Sequence, residues 1–310
     1  LATSASAVRD VHRRQSLTLS SYAADVIWVR RFVADRAAVA GLILLAALVA
    51  IAIVAPQLTA DPFARDLEHG LTARGAPIGP SAEALLGTDP LGRDVWARVV
   101  AGAGTSLGLA GLATAVALVF GVTVGLAAGY RGGWVDSLLM RIVDLTLAFP
   151  ALLLAILLAA MLRESALAGT SAPVVVVLAV ISWGVIARVV RAKAMTVARA
   201  EHVLAARALG ASPWRVVTRH VLPGVAGVVL VAAVVAFAQN LLSESVLSYL
   251  GLGAPAPAPT WGRMLYEGKA YYRTAPHLLV APGVALVLAI AAVHLIAGGL
   301  RTSLASEEPR

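Results

Sequence analysis

From Ala37 to Ala55 the chain carries no charged or hydrogen-bonding side chain. A run of that length matches the roughly 20 residues of helix that cross a hydrocarbon core. Backbone N–H and C=O groups in such a solvent must pair within their own segment, so the run is read as a helix spanning a bilayer. Further apolar runs follow at about Ser106–Gly129, Ser137–Leu162, Val174–Val190, Val225–Leu247 and Leu278–Leu300. The expectation is an all-α, polytopic membrane protein with six transmembrane helices. Composition agrees: hydrophobic residues make up 59% of the chain, charged residues 14%, and the mean hydropathy is +0.84, which no ordinary soluble domain shows.

The organisation follows from where polarity returns. Residues 1–36 form a basic cytoplasmic tail and 37–56 the first span. Residues 57–98 form an extracytoplasmic loop rich in Pro, Gly and acids. A core of five spans over 99–302 contains a basic cytoplasmic loop at 191–223, and 303–310 form a cytoplasmic C-terminal tail. No cleavable signal is expected, because the first apolar run is too long for a signal-peptide core. Tyr22, Val26, Val29 and Val33 share one helical face with Arg30 and Arg31 turned away. That pattern fits a helix lying on the cytoplasmic leaflet, with a disordered basic tail as the alternative before Ser20.

The formal charge of +8 and the pI near 10.5 raise the question of nucleic acid. However, the basic residues cluster by membrane side, in the tail and in the central loop (Arg188, Arg191, Lys193, Arg199, Arg207, Arg215, Arg219). The positive-inside rule accounts for them, with both termini and the central loop in the cytoplasm and no nucleic-acid partner. The absence of cysteine excludes disulfides, thiolate metal sites and a cysteine nucleophile. No catalytic residue, metal site or cofactor is assigned.

Individual residues refine this frame. Asp89 is expected to cap a helix with Pro90 at its first position. Ala113, Ala117, Gly121, Gly125 and Gly129 recur every fourth residue and form a ridge along which another helix can approach closely. Arg141 and Asp144 stand three apart and are expected to pair. Pro150 is expected to kink the third span. Near the end of the fifth span, Gln239 and Ser243 share one face, and Asn240 and Glu244 another. These four are candidate pathway-lining residues, with a purely structural hydrogen-bonding role equally open. Trp261, Tyr266, Tyr271 and Tyr272 suit a membrane–water boundary. His294, with no second ligand at helical spacing, is read as a satisfied histidine of the bundle.

The central loop has its own grammar from Glu201 to Pro223. Good helix formers run from Arg199 to Leu209, and Gly210 stops them. Ser212 and Pro213 restart a helix as cap and first residue, and Pro223 is expected to close it. This loop resembles that of the integral-membrane subunits of bacterial ABC importers, whose motif reads Glu-Ala-Ala, three residues, Gly, nine residues, then an aliphatic residue, any residue, Leu and Pro. Ala205, Ala206, Gly210, Leu222 and Pro223 fall at that spacing, while Leu204 replaces the Glu and His220 the aliphatic residue. Gly87, Thr88, Asp89, Leu91, Gly92, Arg93 and Asp94, and the run from Gly132 to Ile156, are similar to the dipeptide and oligopeptide branch of that family.

The resemblance implies the type I importer-permease (MetI-like) architecture and a permease subunit of an ATP-driven importer of dipeptides or oligopeptides in the bacterial inner membrane. The same permease type also serves nickel, opines, glutathione or antimicrobial peptides. It implies that Ala205, Ala206, Gly210, Leu222 and Pro223 couple the permease to a separate ATPase. The other implied partners are a homologous second permease, one or two ATP-binding subunits, an extracytoplasmic solute-binding protein near the 248–276 stretch, the peptide substrate and the lipid bilayer. No phosphate-binding G-x-x-x-x-G-K-[ST] loop occurs, so this chain is not expected to hydrolyse ATP itself. A secondary transporter would call for repeated halves with broken helices, and an intramembrane enzyme for a nucleophile with its base. No motif here supports either.

Overall fold

The computed structural model describes residues 28–54 and 57–305 and contains no β-strand among them. Tyr22 and Val26 of the expected leaflet helix lie outside the described residues; residues 28–34 are helical, with Val29 and Val33 exposed. The helices are α1 (Arg36–Val54), α2 (Val95–Arg131), α3 (Gly133–Ala148), α4 (Ala151–Leu162), α5 (Ala172–Ala198), α6 (Glu201–Ala208), α7 (Pro213–Val216), α8 (Leu222–Tyr249), α9 (Trp261–Gly268) and α10 (His277–Ala305). Among the described residues, five helical stretches are long and apolar enough to cross a membrane: α1, α2, α5, the run through α7 and α8, and α10. A sixth exists if α3 and α4 cross as one.

That third crossing departs from the expected single kinked helix. α3 and α4 meet at 90° across Phe149 and Pro150. Pro150 has no N–H for the ladder and forces Phe149 into an extended conformation (φ −81°, ψ 138°), so the helix breaks instead of bending.

The small-residue ridge of α2 packs on α5. A Cβ on Gly121 would sit 2.7 Å from the Ile186 Cβ, and one on Gly125 or Gly129 would sit 2.7 Å from the Ala187 or Arg191 carbonyl oxygen. Real side chains cannot approach so closely, so glycine is what allows these two backbones to touch. α1 uses the same device on α10, where Gly41 lies against the Ala292 carbonyl. Otherwise α1 buries only Ala38 with it, leaving Leu42, Ile43, Ile53 and Val54 facing outward.

α2 begins at Val95, more than two turns before the apolar run, and its 37 residues give a rod of about 55 Å, longer than a bilayer core of about 30 Å. Its cap is Asp94, whose carboxylate accepts from the Trp96 N–H at 2.9 Å, and not the expected Asp89. Asp89 instead closes a turn by accepting from the N–H groups of Leu91 and Arg93. Gly92, at φ +71° and with no room for a Cβ beside the Asp66 carbonyl, reverses the chain there, so Pro90 cannot open the helix.

Arg141 and Asp144 do not pair as expected. Asp144 takes Arg188 of α5 at 2.6 Å, and Asp136 takes Arg191, whose Nη2 donates at 2.6 Å. These inter-helix bonds fasten α3 to α5, and Arg141 is left on the exposed face. Trp261 is fully buried, its Nε1 donating to the Val99 carbonyl at 3.0 Å, because α9 folds back onto α2. Of the expected boundary aromatics, Tyr266 and Tyr272 are exposed and Tyr271 is half-buried. His294 faces outward and not into the bundle; its Nδ1 lies 2.9 Å from the Ile290 carbonyl of its own helix.

Candidate connecting loop and transport cavity

Between α5 and α8 the chain folds into a compact knuckle. Arg199 and Ala200 break the helix, so α6 starts two residues later than expected, at Glu201. Gly210 has φ +80°, and the Ala211 N–H donates back to the Ala206 carbonyl at 3.1 Å, the long-range bond of a glycine-terminated helix. Ser212 caps α7, its Oγ accepting from the Arg215 N–H, with Pro213 in the first turn.

Pro223 does not close this second piece. The helix runs on from Pro213 through a π turn at Val217–Val221 and continues as α8 to Tyr249. Within the π turn the Leu222 N–H reaches back five residues to the Val217 carbonyl. The shift opens the ladder just where Pro223 lacks a donor, and the helix survives the proline. α7 and α8 are therefore one continuous rod.

The knuckle has a buried root and an exposed tip. Val203, Val216 and Val221 are fully buried with Val190, Ala194 and Val225 at the ends of α5 and α8. The Arg207 guanidinium lies 4.6 Å from the Tyr130 ring centroid at the end of α2, which ties α6 to a third helix. Outward stand Leu209, 89% exposed, Trp214, 77% exposed, and Leu204, with Ala205 exposed beside them and Ala206 half-buried. Leu222 and Pro223 are exposed on the rod itself.

A cavity of ≈1510 Å³ opens beside α8. The break at Phe149 and Pro150, Ser182 of α5 and Gln239, Asn240 and Ser243 of α8 contribute to its wall, together with the cations Lys193 and Arg301. The bent pair, which sequence periodicity does not reveal, supplies one side of this space.

Of the four polar residues singled out on α8, only three line the cavity. Glu244 is fully buried and turned to a different neighbourhood. It accepts from the Ser248 hydroxyl at 2.6 Å, and Ser245, Ser106 of α2 and Thr260 at the start of α9 also reach it. Asn240 sits one turn below, and its orientation is fixed by hydrogen-bond roles. Thr114 donates its hydroxyl proton to the Ala110 carbonyl at 2.7 Å, so toward Asn240 it accepts, and the amide Nδ2 faces it at 3.0 Å. The Asn240 Oδ1 is left buried with no partner.

At the end of α8 away from the knuckle a charge cluster joins α2 to α9. Asp89 holds Arg98 at 2.5 Å and Arg93 at 2.6 Å. Glu267 takes Arg98 at 2.8 Å, Arg93 at 3.2 Å and Arg263 at 3.1 Å. Burial pushes the Glu267 carboxyl up, but the Arg98 guanidinium, together with Arg263 and Arg93, outweighs it and holds the group below the usual carboxylate range. The sequence marks Asp89 and Arg93 within one short motif, and Arg263 and Glu267 stand four apart on α9, but the meeting of Glu267 with Arg98 and Arg93 carries no local signal, because it forms only when α9 folds back.

Comparison with known proteins places this architecture. Residues 121–306 match the family described as binding-protein-dependent transport system inner membrane component, and residues 21–73 match the N-terminal TM domain of oligopeptide transport permease C. The chain is 37% identical over 270 residues to the dipeptide transport system permease protein DppC of Alkalihalophilus pseudofirmus, covering 87% of this chain and 86% of that one. It is 36% identical to the glutathione transport system permease protein GsiD of Pectobacterium atrosepticum, covering 89% and 88%. Its fold is similar to a chain of the MetNI methionine ABC transporter in an inward-facing conformation, with TM-score 0.56, 20% identity, and 69% of this chain and 98% of that chain covered. With matches of this extent, the chain belongs to the family of binding-protein-dependent transport inner-membrane components and is a multi-pass membrane permease of the ABC transporter type.

Proposed function

We propose that this chain is one permease of an ATP-driven importer of short peptides, and that the knuckle at 201–223 couples it to a separate ATPase. The observation that carries the reading is the knuckle's division into a buried root and an apolar tip. Leu209 and Trp214 expose large apolar surfaces that a lone membrane protein has no reason to present to water. Val203, Val216 and Val221 root them, and α7 continues without a break into a span that lines the large cavity. A push on the tip is therefore transmitted along a rigid rod to Gln239, Asn240 and Ser243.

On this reading the knuckle and both termini lie in the cytoplasm, and the α9 end faces outward in the inner membrane. The cavity is half of a pathway completed by a homologous second permease. An extracytoplasmic solute-binding protein delivers peptide to the α9 end, and one or two ATP-binding subunits dock on the knuckle. The dipeptide permease and glutathione permease among its relatives support peptides as the substrate class, glutathione being itself a tripeptide.

The test replaces the small residues of the tip. Ala205→Trp and Ala206→Trp are expected to insert normally in the membrane yet to lose both co-purification of the ATP-binding subunit and ATP-dependent uptake of dipeptide. Inserted variants that keep both would remove the coupling role from this loop.

A further inference from the structure

At the α9 end of the bundle a second cavity, of ≈630 Å³, lies between the turn after α4 and the turn after α8. That volume suits a small ligand, for which about 300–1,000 Å³ is usual. Its charged lining is two guanidinium groups, Arg163 and Arg263, and one carboxylate, Glu267, with Ser248 also in the wall.

The carboxylate does not neutralise the site. Glu267 is shared among Arg263, Arg98 and Arg93, and the latter two also share Asp89. Three guanidinium groups thus meet two carboxylates, leaving one positive charge over, and Arg163 adds another. Both lining arginines are positioned and have donors to spare. Arg263 uses Nε on Glu267, and Arg163 uses Nη2 on the Gly251 carbonyl at 2.8 Å, a bond that joins the ends of α4 and α8. Their other guanidinium N–H groups make no hydrogen bond among the described residues.

We propose that this cavity is an outer binding site for the terminal carboxylate of the peptide, with Arg163 and Arg263 donating to its oxygens before the peptide enters the larger cavity. The proposal rests on the reading of the chain as a peptide permease with its α9 end outward. A carboxylate fits because the planar guanidinium fork matches its two oxygens. The same positive surplus disfavours a bare divalent cation such as nickel.

The experiment measures equilibrium binding of radiolabelled Ala-Ala and of its C-terminal amide to the whole permease–ATPase complex in lipid nanodiscs. The solute-binding protein is omitted so that its own selectivity does not enter. The unmodified complex should bind the acid at least about tenfold more tightly than the amide, the loss expected when a charge-assisted bond is removed. Arg163→Gln and Arg263→Gln should each reduce that preference severalfold without weakening the amide, and Arg163→Lys should retain part of it.

Equal binding of acid and amide by the unmodified complex, no binding of either, or an undiminished preference in both Gln variants overturns the proposal. If Arg163→Gln instead loses pull-down of the solute-binding protein while the acid preference stays, the guanidinium serves an acidic side chain of that partner, and the proposal is again overturned. Vesicle uptake of the same dipeptide with the solute-binding protein present separates the two levels. ATP-dependent uptake by a complex whose equilibrium binding shows no carboxylate preference sinks the site alone, whereas absence of uptake sinks the peptide-permease reading beneath it.

Discussion

Replacing Gly210 separates the backbone from the side chain as the source of the knuckle's shape. Its φ is +80°, and a Cβ built there would meet nothing within 4 Å. Crowding therefore contributes nothing, and the whole cost of a substitution is backbone strain. For an L-residue in the left-handed region that cost is about 1–2 kcal/mol, more for a β-branched side chain. It corresponds to about a 5- to 30-fold shift away from the native turn. Asn, which tolerates this region, should cost a few tenths of that.

The bonds at stake are those of Gly210 N–H to the Arg207 carbonyl at 3.0 Å and Ala211 N–H to the Ala206 carbonyl at 3.1 Å. A turn that relaxes out of this geometry redirects α7 and moves Trp214 relative to α6. Co-purification of the ATP-binding subunit and vesicle uptake should therefore fall in the order Gly, Asn, Ala, Val, while membrane insertion stays constant. Asn as damaging as Val would mean that exposed surface at residue 210, and not φ, is what counts. Val equal to Gly would mean that the turn's geometry does not matter to coupling. Either result refutes the argument.

Gly125→Val places a branched side chain where even a Cβ lies 2.7 Å from the Ala187 carbonyl, so α2 and α5 should part and the detergent-solubilised complex should lose its cooperative melt while each span still inserts. Asp89→Asn leaves Arg98, whose side chain is 4% exposed, without its nearest carboxylate while Glu267 still pairs with it, and should destabilise the α2–α9 end by about 1.5–3 kcal/mol in a thermal melt. Because the folded pKa of Glu267 is lowered, its contribution to stability is full above the unfolded value near pH 4 and is lost as pH falls through the folded one; a melting-temperature profile should show that acid-side decline, and Glu267→Gln should flatten it. Glu244→Gln preserves shape within the hydroxyl cluster of Ser248, Ser245, Ser106 and Thr260, away from the cavity wall, so assembly and uptake should both survive; intact assembly with altered uptake would give Glu244 a role in the pathway.

The helices and their order are local matters, and the sequence determined them. An uncharged run of bilayer length such as Ala37–Ala55 has few alternatives to a spanning helix, and a small residue, Ala or Gly, at every fourth position on α2 announces a close neighbour without naming it. The turn at Gly210 and the cap at Ser212 are likewise written within a few residues, because caps and turns are satisfied by groups adjacent in the chain. Partner choice was not written there. Arg141 lies three residues from Asp144, yet Asp144 bonds Arg188, because packing of α3 on α5 brings that guanidinium within 2.6 Å. Trp261 looks like a boundary aromatic until α9 folds back and buries it against Val99. Asp89 reads as a cap because the following proline fits the first turn of a helix, and it becomes an ion-pair hub because Gly92 reverses the chain toward Arg98. Pro223 reads as a stop, and a π turn that ends two residues upstream, at Val221, lets the helix pass it. The two cavities belong to this second class: their walls are drawn from segments far apart in sequence, and only the packing of α2, α5 and α8 decides which polar side chains face space and which, like Glu244, face one another.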